Sequence, residues 1–319
     1  MLKKQSKMRR KAKKERILTE AVSGEKALGV MRELATDVVS DIEKESFPKI
    51  TMPSRTTDNI IFDEKTGRYK LGEKVVTRSA SNIRHLKPLS QMTWLLTVAA
   101  DLIETQKTST LRDVFYMAEG AGDISFEDQG ESDKIITDLE SVLAFAREDL
   151  NIYPEERSAI FGDLDIEYTV KGYEGKKLNL TIHPDGVMIG PALATADFIQ
   201  TSADKVIAIE KGAMFSRFVE EKAWKRFHAV LIHTAGQAPR STRKLIRRLS
   251  TKLRLPVYLF ADADPWGLHI CQVIMSGSAN AAHIADLVTP NAKWAGVYAT
   301  DISKYDLPST KLNDMDIRR

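Results

Sequence analysis

The sequence predicts an α/β protein in which residues 196–319 form a parallel sheet covered by helices. In this part of the chain, apolar runs of strand length alternate with helical patterns, as in parallel sheets with helices on both faces. Carboxylates follow closely after some of these runs, at the edge where open α/β sheets bind their ligands. Upstream, amphipathic helical patterns without strands predict a separate helical domain over residues 76–152.

Four strands and three helices make up the predicted sheet domain. The strands are apolar along their whole length, which is typical of strands buried on both faces. They cover Lys205 to Ile209, His228 to Thr234, Val257 to Phe260 and Trp294 to Ala299. The helices between them cover Phe215 to Phe227, Ser241 to Leu253 and His269 to Ile284.

Three short helices are predicted in the helical domain. Ser90 can cap the first, the second begins after Thr110, and the third starts near Ser132. Three helices of this length fit a helix-turn-helix core, in which one helix enters a DNA groove.

Two segments lie outside these domains. Residues 1–75 form an N-terminal extension, with a helix near Ala27–Ile42 and a hairpin near Asp63–Gly72. Residues 153–195 are predicted to be a β-rich linker, because Ile166–Ile189 has the composition and Gly-containing turns of a hairpin.

Three carboxylates at two strand ends suggest a metal site. Glu210 follows one apolar run, and Asp262 and Asp264 follow another. Because the carboxyl ends of parallel strands meet at one edge of a sheet, we expect the three side chains to lie close together. Hard oxygen ligands suit Mg²⁺. The Asp-x-Asp pair alone would fit turn chemistry equally well, and the second strand-end acid favours the metal.

A tyrosine shares one face of the second helix with an arginine. Leu111, Val114 and Phe115 form the predicted buried face of that helix, which leaves Arg112 and Tyr116 on another. Their spacing of four residues makes the guanidinium and the phenol neighbours. On spacing alone, a half-buried tyrosine beside a solvated arginine is the simpler interpretation.

The run Leu111–Tyr116 resembles the active-site motif of the DNA topoisomerase VI A-subunit family and of its relatives that make meiotic double-strand breaks. A strand-end Glu followed two strands later by Asp-x-Asp resembles the Toprim domain of topoisomerases, primases and some nucleases. Further segments resemble family landmarks in family order: Pro53–Thr56, Asn59–Ile60, Phe126–Gln129, Glu210–Gly212, Gly236–Gln237, Asp262–Gly267 and Asp314–Ile317. Family members usually continue with further C-terminal helices beyond this point.

The resemblance implies a winged-helix domain over residues 76–152 and a Toprim domain over residues 196–319. Tyr116 would be the nucleophile, Arg112 would sit on a phosphate oxygen, and Mg²⁺ would be held by Glu210, Asp262 and Asp264. The implied activity is cleavage and religation of both strands of duplex DNA through a 5′-phosphotyrosyl link, by a homodimer. The implied partner is an ATPase B subunit in a heterotetramer, and the chain itself contains no P-loop motif.

Basic residues are concentrated in two places. Met1–Arg16 holds nine Lys or Arg against one Glu, while the whole chain carries only +3. This arm is either a solubilising tail or a phosphate contact. From Arg240 to Arg254 there are seven basic residues and no acid. A run of only positive charges on a helix beside the carboxylates suggests a surface that contacts the DNA backbone. The candidate contacts are Arg243, Arg247 and Arg248.

Composition excludes several kinds of site. Cys271 is the sole cysteine, which excludes an intrachain disulfide and a multi-cysteine zinc site. The six His residues show no metal-ligand spacing. No apolar run reaches the length of a membrane span, and the N-terminus lacks the apolar region of a signal peptide. We therefore expect a cytoplasmic protein with access to DNA.

Three other functions fit parts of the pattern. A double-strand-break enzyme that initiates recombination would use the same chemistry without strand passage. A metal-dependent Toprim nuclease would use the acids and leave Tyr116 structural. A non-catalytic DNA-binding protein is the third, and the intact set of three acids argues against it.

Overall fold

The computed structural model describes residues 24–318, which divide into two compact units. The first contains residues 24–59 and 71–155, and the second contains residues 60–70 and 156–318. The basic arm at Met1–Arg16 lies outside the described residues. The domain boundaries set out above stay a prediction.

The elements of the described chain are as follows. The helices are α1 (24–43), α2 (Ile83–Thr105), α3 (Leu111–Ala121), α4 (Gln129–Leu143), α5 (Pro191–Thr195), α6 (Gly212–Glu220), α7 (Ala223–Arg226), α8 (Arg240–Lys252), α9 (Pro265–Ser276), α10 (Ala299–Lys304) and α11 (Asp314–Arg318). The strands are β1 (Lys49–Pro53), β2 (Ile60–Asp63), β3 (Arg68–Leu71), β4 (Val75–Ser79), β5 (Ser109–Thr110), β6 (Ile152–Tyr153), β7 (Ala159–Phe161), β8 (Leu164–Glu167), β9 (Lys177–Asn179), β10 (Val187–Met188), β11 (Asp197–Thr201), β12 (Lys205–Ile209), β13 (Ala229–His233), β14 (Val257–Phe260) and β15 (Lys293–Gly296).

The first unit is built on the predicted three helices. Apolar faces of α2, α3 and α4 pack into one core together with residues of α1 and β1. An antiparallel pair of β1 and β4 and a short parallel pair of β5 and β6 complete this unit. None of the helices in residues 24–318 has both the length and the apolar character that crossing a membrane requires.

Two of the predicted helix starts are wrong. Helix α2 begins seven residues before Ser90, at Ile83, because the Asn82 side chain accepts a hydrogen bond from the Arg84 N–H and caps it. Pro88 lies inside this helix. Helix α4 begins at Gln129, before Ser132, and is capped by Asp128.

A buried carboxylate ties β1 and β4 to α4 in the first unit. Asp138 of α4 accepts hydrogen bonds from Arg55, which follows β1, and from Arg78 of β4. The Arg55 Nη2 to Asp138 Oδ1 distance is 2.6 Å, and the Asp138 side chain is only 6% exposed. Since both guanidinium groups depend on one acid, this cluster fixes the strand pair against the helix core.

The second unit contains a six-stranded sheet in the order β10-β7-β13-β12-β14-β15. The four strands predicted from the sequence are all present and pair in parallel. The sheet is nevertheless mixed, because β7 pairs antiparallel with β13 and β10 pairs antiparallel with β7. Residues of the segment predicted as a β-rich linker therefore extend the sheet.

The predicted helices of this unit are shifted or divided. The segment Phe215–Phe227 forms two helices, α6 and α7, separated at Lys222, whose φ of 52° is left-handed. The helix predicted from His269 to Ile284 is α9, which starts earlier, at Pro265, and ends before Gly277. Gly277 has a φ of 84°, a conformation that a side chain disfavours.

Two smaller β structures confirm the predicted hairpins. Strands β2 and β3 pair in the region Asp63–Gly72, and this hairpin belongs to the second unit, where the Tyr69 hydroxyl contacts Gln272. Strands β8 and β9 form an antiparallel pair within a three-stranded sheet that also contains β11.

Replacing Asp138 with Ala should destabilise the first unit by about 3 kcal/mol, because two largely buried guanidinium groups would lose their shared counter-charge. Urea unfolding followed by circular dichroism measures this loss. Asp58→Ala is the control, since it removes the same side chain from the exposed Lys74 pair and should change stability little. Equal unfolding midpoints for the two variants would contradict the role given to Asp138.

Candidate functional site: a helix-borne tyrosine and a cluster of strand-end acids

Tyr116 lies on an exposed face of α3, as its spacing predicted. A capping box starts the helix, in which Thr110 and Asp113 each accept a hydrogen bond from the other's backbone N–H. Val114 is fully buried, while the Tyr116 side chain is 51% exposed. The ring of Phe115 lies 5.4 Å from that of Tyr116. The phenol is thus anchored by its helix and accessible to a substrate.

Arg112 meets the phenol one helical turn away. Its side chain hydrogen-bonds with Tyr116, and this contact, with smaller effects from the phenol and Glu155 charges, raises the pKa of Arg112. The guanidinium donates and the phenol oxygen accepts, so a positive charge stands beside the oxygen that would attack. The two side chains are therefore paired as predicted, and their catalytic roles stay a proposal.

The two acid-bearing strands lie side by side. Strands β12 and β14 pair in parallel with Ile209 opposite Phe260, and the Glu210 N–H donates to the Phe260 carbonyl at 3.0 Å. Glu210 Oε2 in turn accepts from the Asp262 N–H at 3.1 Å. The prediction that Glu210 and Asp262 lie close together at one edge of the sheet is confirmed.

Asp264 points in a different direction, into the first turn of α9. Its Oδ1 atom accepts from the Gly267 N–H at 2.7 Å and caps the helix. A Cβ on Gly267 would lie 2.2 Å from the Asp262 carbonyl oxygen, so only glycine permits this approach. The run from Asp262 to Gly267 thus forms a helix-capping turn, and it also carries two of the acids at the edge of the sheet. The sequence suggested both features.

The acids repel one another. Burial raises the pKa of Glu210, and the charges of Asp262 and Asp264 raise it further, against the lowering effects of the Asp262 N–H and Lys211. Lys211 Nζ lies 2.5 Å from Asp262 Oδ2. That hydrogen bond is the main cause of the raised pKa of Lys211. A cation already offsets part of the negative charge here.

The donor set fits a divalent cation in type and charge. Three carboxylates offer hard oxygen atoms, and their mutual repulsion favours a positive ligand. Within residues 24–318, no three His, Cys, Asp or Glu side chains are grouped closely enough to hold a metal ion together. Asp262 is engaged by Lys211 and Asp264 by α9, so metal binding would require both side chains to exchange partners.

Helix α8 does not present the predicted row of exposed arginines. Arg243 is 6% exposed. The Arg248 guanidinium donates to the backbone carbonyls of Ala194 and Ala196 and lies 4.8 Å from the Phe198 ring centre. The predicted solvent-facing position of these two residues is wrong, because the helix packs that side against the protein. DNA contacts of Arg243, Arg247 and Arg248 stay a prediction.

Lys211 and a group of residues around α9 were not among the predicted site residues. Lys211 directly follows Glu210, and that adjacency was the available signal. Gln237, Trp266 and His269 line a pocket of about 380 Å³ with Arg243. Periodicity gave no sign of this pocket, since its walls come from three separate segments.

Comparisons with known proteins agree with this arrangement. The family model described as the Toprim domain of Spo11 and of the topoisomerase 6 A subunit matches residues 205–319. The family model described as type IIB DNA topoisomerase matches residues 87–152. The first match covers β12, β14 and the three acids, and the second covers α3 with Tyr116.

Curated relatives extend the match over most of the chain. The A subunit of type 2 DNA topoisomerase 6 from Methanothermobacter thermautotrophicus is 40% identical, over 92% of this chain and 82% of its own length. The proteins of that name from Methanocaldococcus jannaschii and Archaeoglobus fulgidus are 38% and 35% identical, over 90% and 89% of this chain and 78% and 80% of their own lengths. This chain therefore belongs to the family of type 2 DNA topoisomerase 6 A subunits.

Proposed function

We propose that this chain is the DNA-cleaving subunit of an ATP-dependent type IIB topoisomerase, and that Tyr116 forms a transient 5′-phosphotyrosyl link. The observation that carries the proposal is the exposed Tyr116 phenol hydrogen-bonded to Arg112, in a chain whose strand-end acids lie within a matched Toprim segment. Family membership supports type IIB cleavage of DNA. The positions of Tyr116, Arg112 and the strand-end acids support the proposed phosphotyrosyl chemistry.

Tyr116 must lose its proton to act, because an ordinary phenol is protonated at neutral pH. Its oxygen then forms a bond to phosphorus, the bond from phosphorus to the 3′ oxygen breaks, and that oxygen takes up a proton. Arg112 stabilises the negative charge on the phenol oxygen and on the phosphate that it attacks. Resealing runs the same exchange backwards, since the phosphodiester energy is kept in the tyrosyl link.

Glu210, Asp262 and Asp264 would hold a divalent cation, for which we propose Mg²⁺. When bound, Mg²⁺ supplies charge stabilisation to the phosphate and to the departing 3′ oxygen. Lys211 would have to release Asp262 for that carboxylate to serve as a ligand.

We further propose the assembly that the family resemblance implies. The α2–α4 helices with the β1–β4 pair would serve as a winged-helix domain that binds duplex DNA. Two copies of the chain would each cut one strand, and an ATPase B subunit would complete a heterotetramer in the cytoplasm. No second observation favours the rival break-forming enzyme or nuclease over this assembly.

Replacing Tyr116 with Phe should abolish cleavage and leave duplex binding within about twofold, because it removes one oxygen from an exposed helix face and no core volume. Denaturing gel analysis of labelled duplex incubated with ATP, Mg²⁺ and a B subunit detects the covalent adduct. Tyr173→Phe is the matched control, since Tyr173 is also exposed, at 55%. A protein–DNA adduct with Tyr116→Phe would overturn the assignment.

Replacing Arg112 with Gln should slow adduct formation by roughly 10² to 10³-fold, the usual effect of losing one group that stabilises developing charge. Folding should be unaffected, because Arg112 lies on the exposed face of α3. Single-turnover cleavage at saturating DNA separates this effect from binding. An unchanged rate at saturation would show that Arg112 only packs against the phenol.

Amide variants of the three acids should each remove metal-dependent cleavage while preserving the fold. Glu210→Gln keeps an acceptor for the Asp262 N–H, and Asp264→Asn keeps a good helix cap for α9. Asp262→Asn releases Lys211. The measurement is adduct yield against Mg²⁺ concentration, with thermal melting as the folding check. Cleavage by wild type in EDTA equal to that in Mg²⁺ would refute the metal role.

Relaxation of supercoiled DNA distinguishes the rival functions. A topoisomerase should relax DNA only when both ATP and a B subunit are present. A break-forming enzyme should form the tyrosyl adduct without relaxation, and a nuclease should leave free ends with no adduct.

A further inference from the structure

The Asp262 carboxylate is paired with a cation of the chain itself. Among residues 24–318, Lys211 is the only residue whose side chain forms an ion pair or hydrogen bond with it, and the Nζ to Oδ2 distance is 2.5 Å. The Asp262 backbone N–H is directed elsewhere, since it donates to Glu210 Oε2 at 3.1 Å. The Lys211 ammonium group therefore occupies a carboxylate that a metal at this edge would need.

Lys211 is poorly placed for its own helix. It is the N-cap of α6, a helix of nine residues, and its side chain forms no capping hydrogen bond. Helix N-termini carry partial positive charge and favour anions, so a lysine there is unfavourable for the helix. The contact with Asp262 offsets this cost. The reason for a cation at position 211 thus lies in the acids and not in α6.

The backbone beside this contact is fixed, while the two side chains are accessible to water. The Glu210 N–H donates to the Phe260 carbonyl at 3.0 Å, and the Glu210 carbonyl accepts from the Gly236 N–H at 3.2 Å. The Lys211 side chain is 59% exposed and that of Asp262 is 35% exposed. The ammonium group can therefore leave the carboxylate by rotation within its own side chain, with the strands unchanged.

A divalent ion would win this competition at a reduced affinity. An exposed ion pair is weak, worth up to about fivefold in an equilibrium constant. A divalent ion has twice the charge of an ammonium group and prefers the hard oxygen atoms that the acids offer. Because Lys211 directly follows Glu210, its charge stays near the acids after the pair is broken and repels the ion. Both effects weaken metal binding, and neither prevents it.

We propose that Lys211 is an intramolecular competitor of the metal, which pairs with Asp262 in the metal-free protein and so raises the ion concentration at which the acids bind a divalent cation. The proposal rests on the proposed function, because it concerns the same acids as metal ligands. It gives Lys211 no part in bond breaking. Removing a competitor improves metal binding, whereas removing a supporting residue weakens it, so the sign of the change decides between the two roles.

Lys211→Met tests this assignment, because it removes the charge and keeps the length of the side chain. The matched control is Lys293→Met, the same change at an exposed lysine of the same sheet, whose opposite residue on β14 is Tyr258. Both variants lower the net charge equally, so a general charge effect cancels between them. Mn²⁺ binding to the chain without DNA is measured from the electron paramagnetic resonance signal of the free ion, and Mg²⁺ binding from its competition with Mn²⁺.

We expect Lys211→Met to bind both ions about fivefold more tightly than Lys293→Met, which should match the wild type within about twofold. Lys211→Arg keeps a cation that can pair with Asp262 and should also match the wild type. Adding Glu210→Gln to Lys211→Met should remove the gain, which would place the effect at the acids. Thermal melting checks folding, which should be preserved because the Lys211 side chain does not cap α6.

Equal metal affinities of folded Lys211→Met and Lys293→Met overturn the proposal. Weaker binding by Lys211→Met also overturns it, because Lys211 would then support the metal. Absence of metal binding by the wild type and by every variant overturns both this proposal and the metal role of the acids. Because these measurements need no cleavage, a missing Tyr116 adduct would refute the proposed function while tighter binding by Lys211→Met would still support the competition.

Discussion

The parallel pairing of β12 with β14 is the constraint on which the candidate site depends. With Ile209 opposite Phe260, the backbone that follows each strand leaves the sheet at the same level. Glu210 can then accept from the Asp262 N–H, and the acids are held together by the ladder itself. A shift of one residue in this register would turn Glu210 to the other face of the sheet.

This placement of like charges has an electrostatic cost that the protein offsets locally. Burial and two neighbouring carboxylates raise the pKa of Glu210, while Lys211 pairs with Asp262 and Asp264 engages the start of α9. Each acid therefore has a partner of its own, an ammonium group for Asp262 and a backbone N–H for Glu210 and for Asp264.

Strongly periodic features of this fold were predictable, and features set by tertiary packing were not. The four apolar runs gave their strands, and the spacing of Arg112 and Tyr116 gave their shared helix face. Strands β7 and β10 have three and two residues, too few to show a period, so the mixed sheet was missed. The burial of Arg243 was missed because helical spacing separates faces without showing what packs on them.

The hairpin of β2 and β3 has a consequence for how the chain is made. Its residues 60–70 belong to the second unit, yet they are synthesised between two parts of the first. On a ribosome, this hairpin must wait for Gln272 and Pro290 before its Tyr69 and Gly67 contacts can form. Cotranslational completion of the second unit therefore depends on the earliest and latest parts of its sequence, and an excised fragment starting at residue 156 would lack one of its pieces.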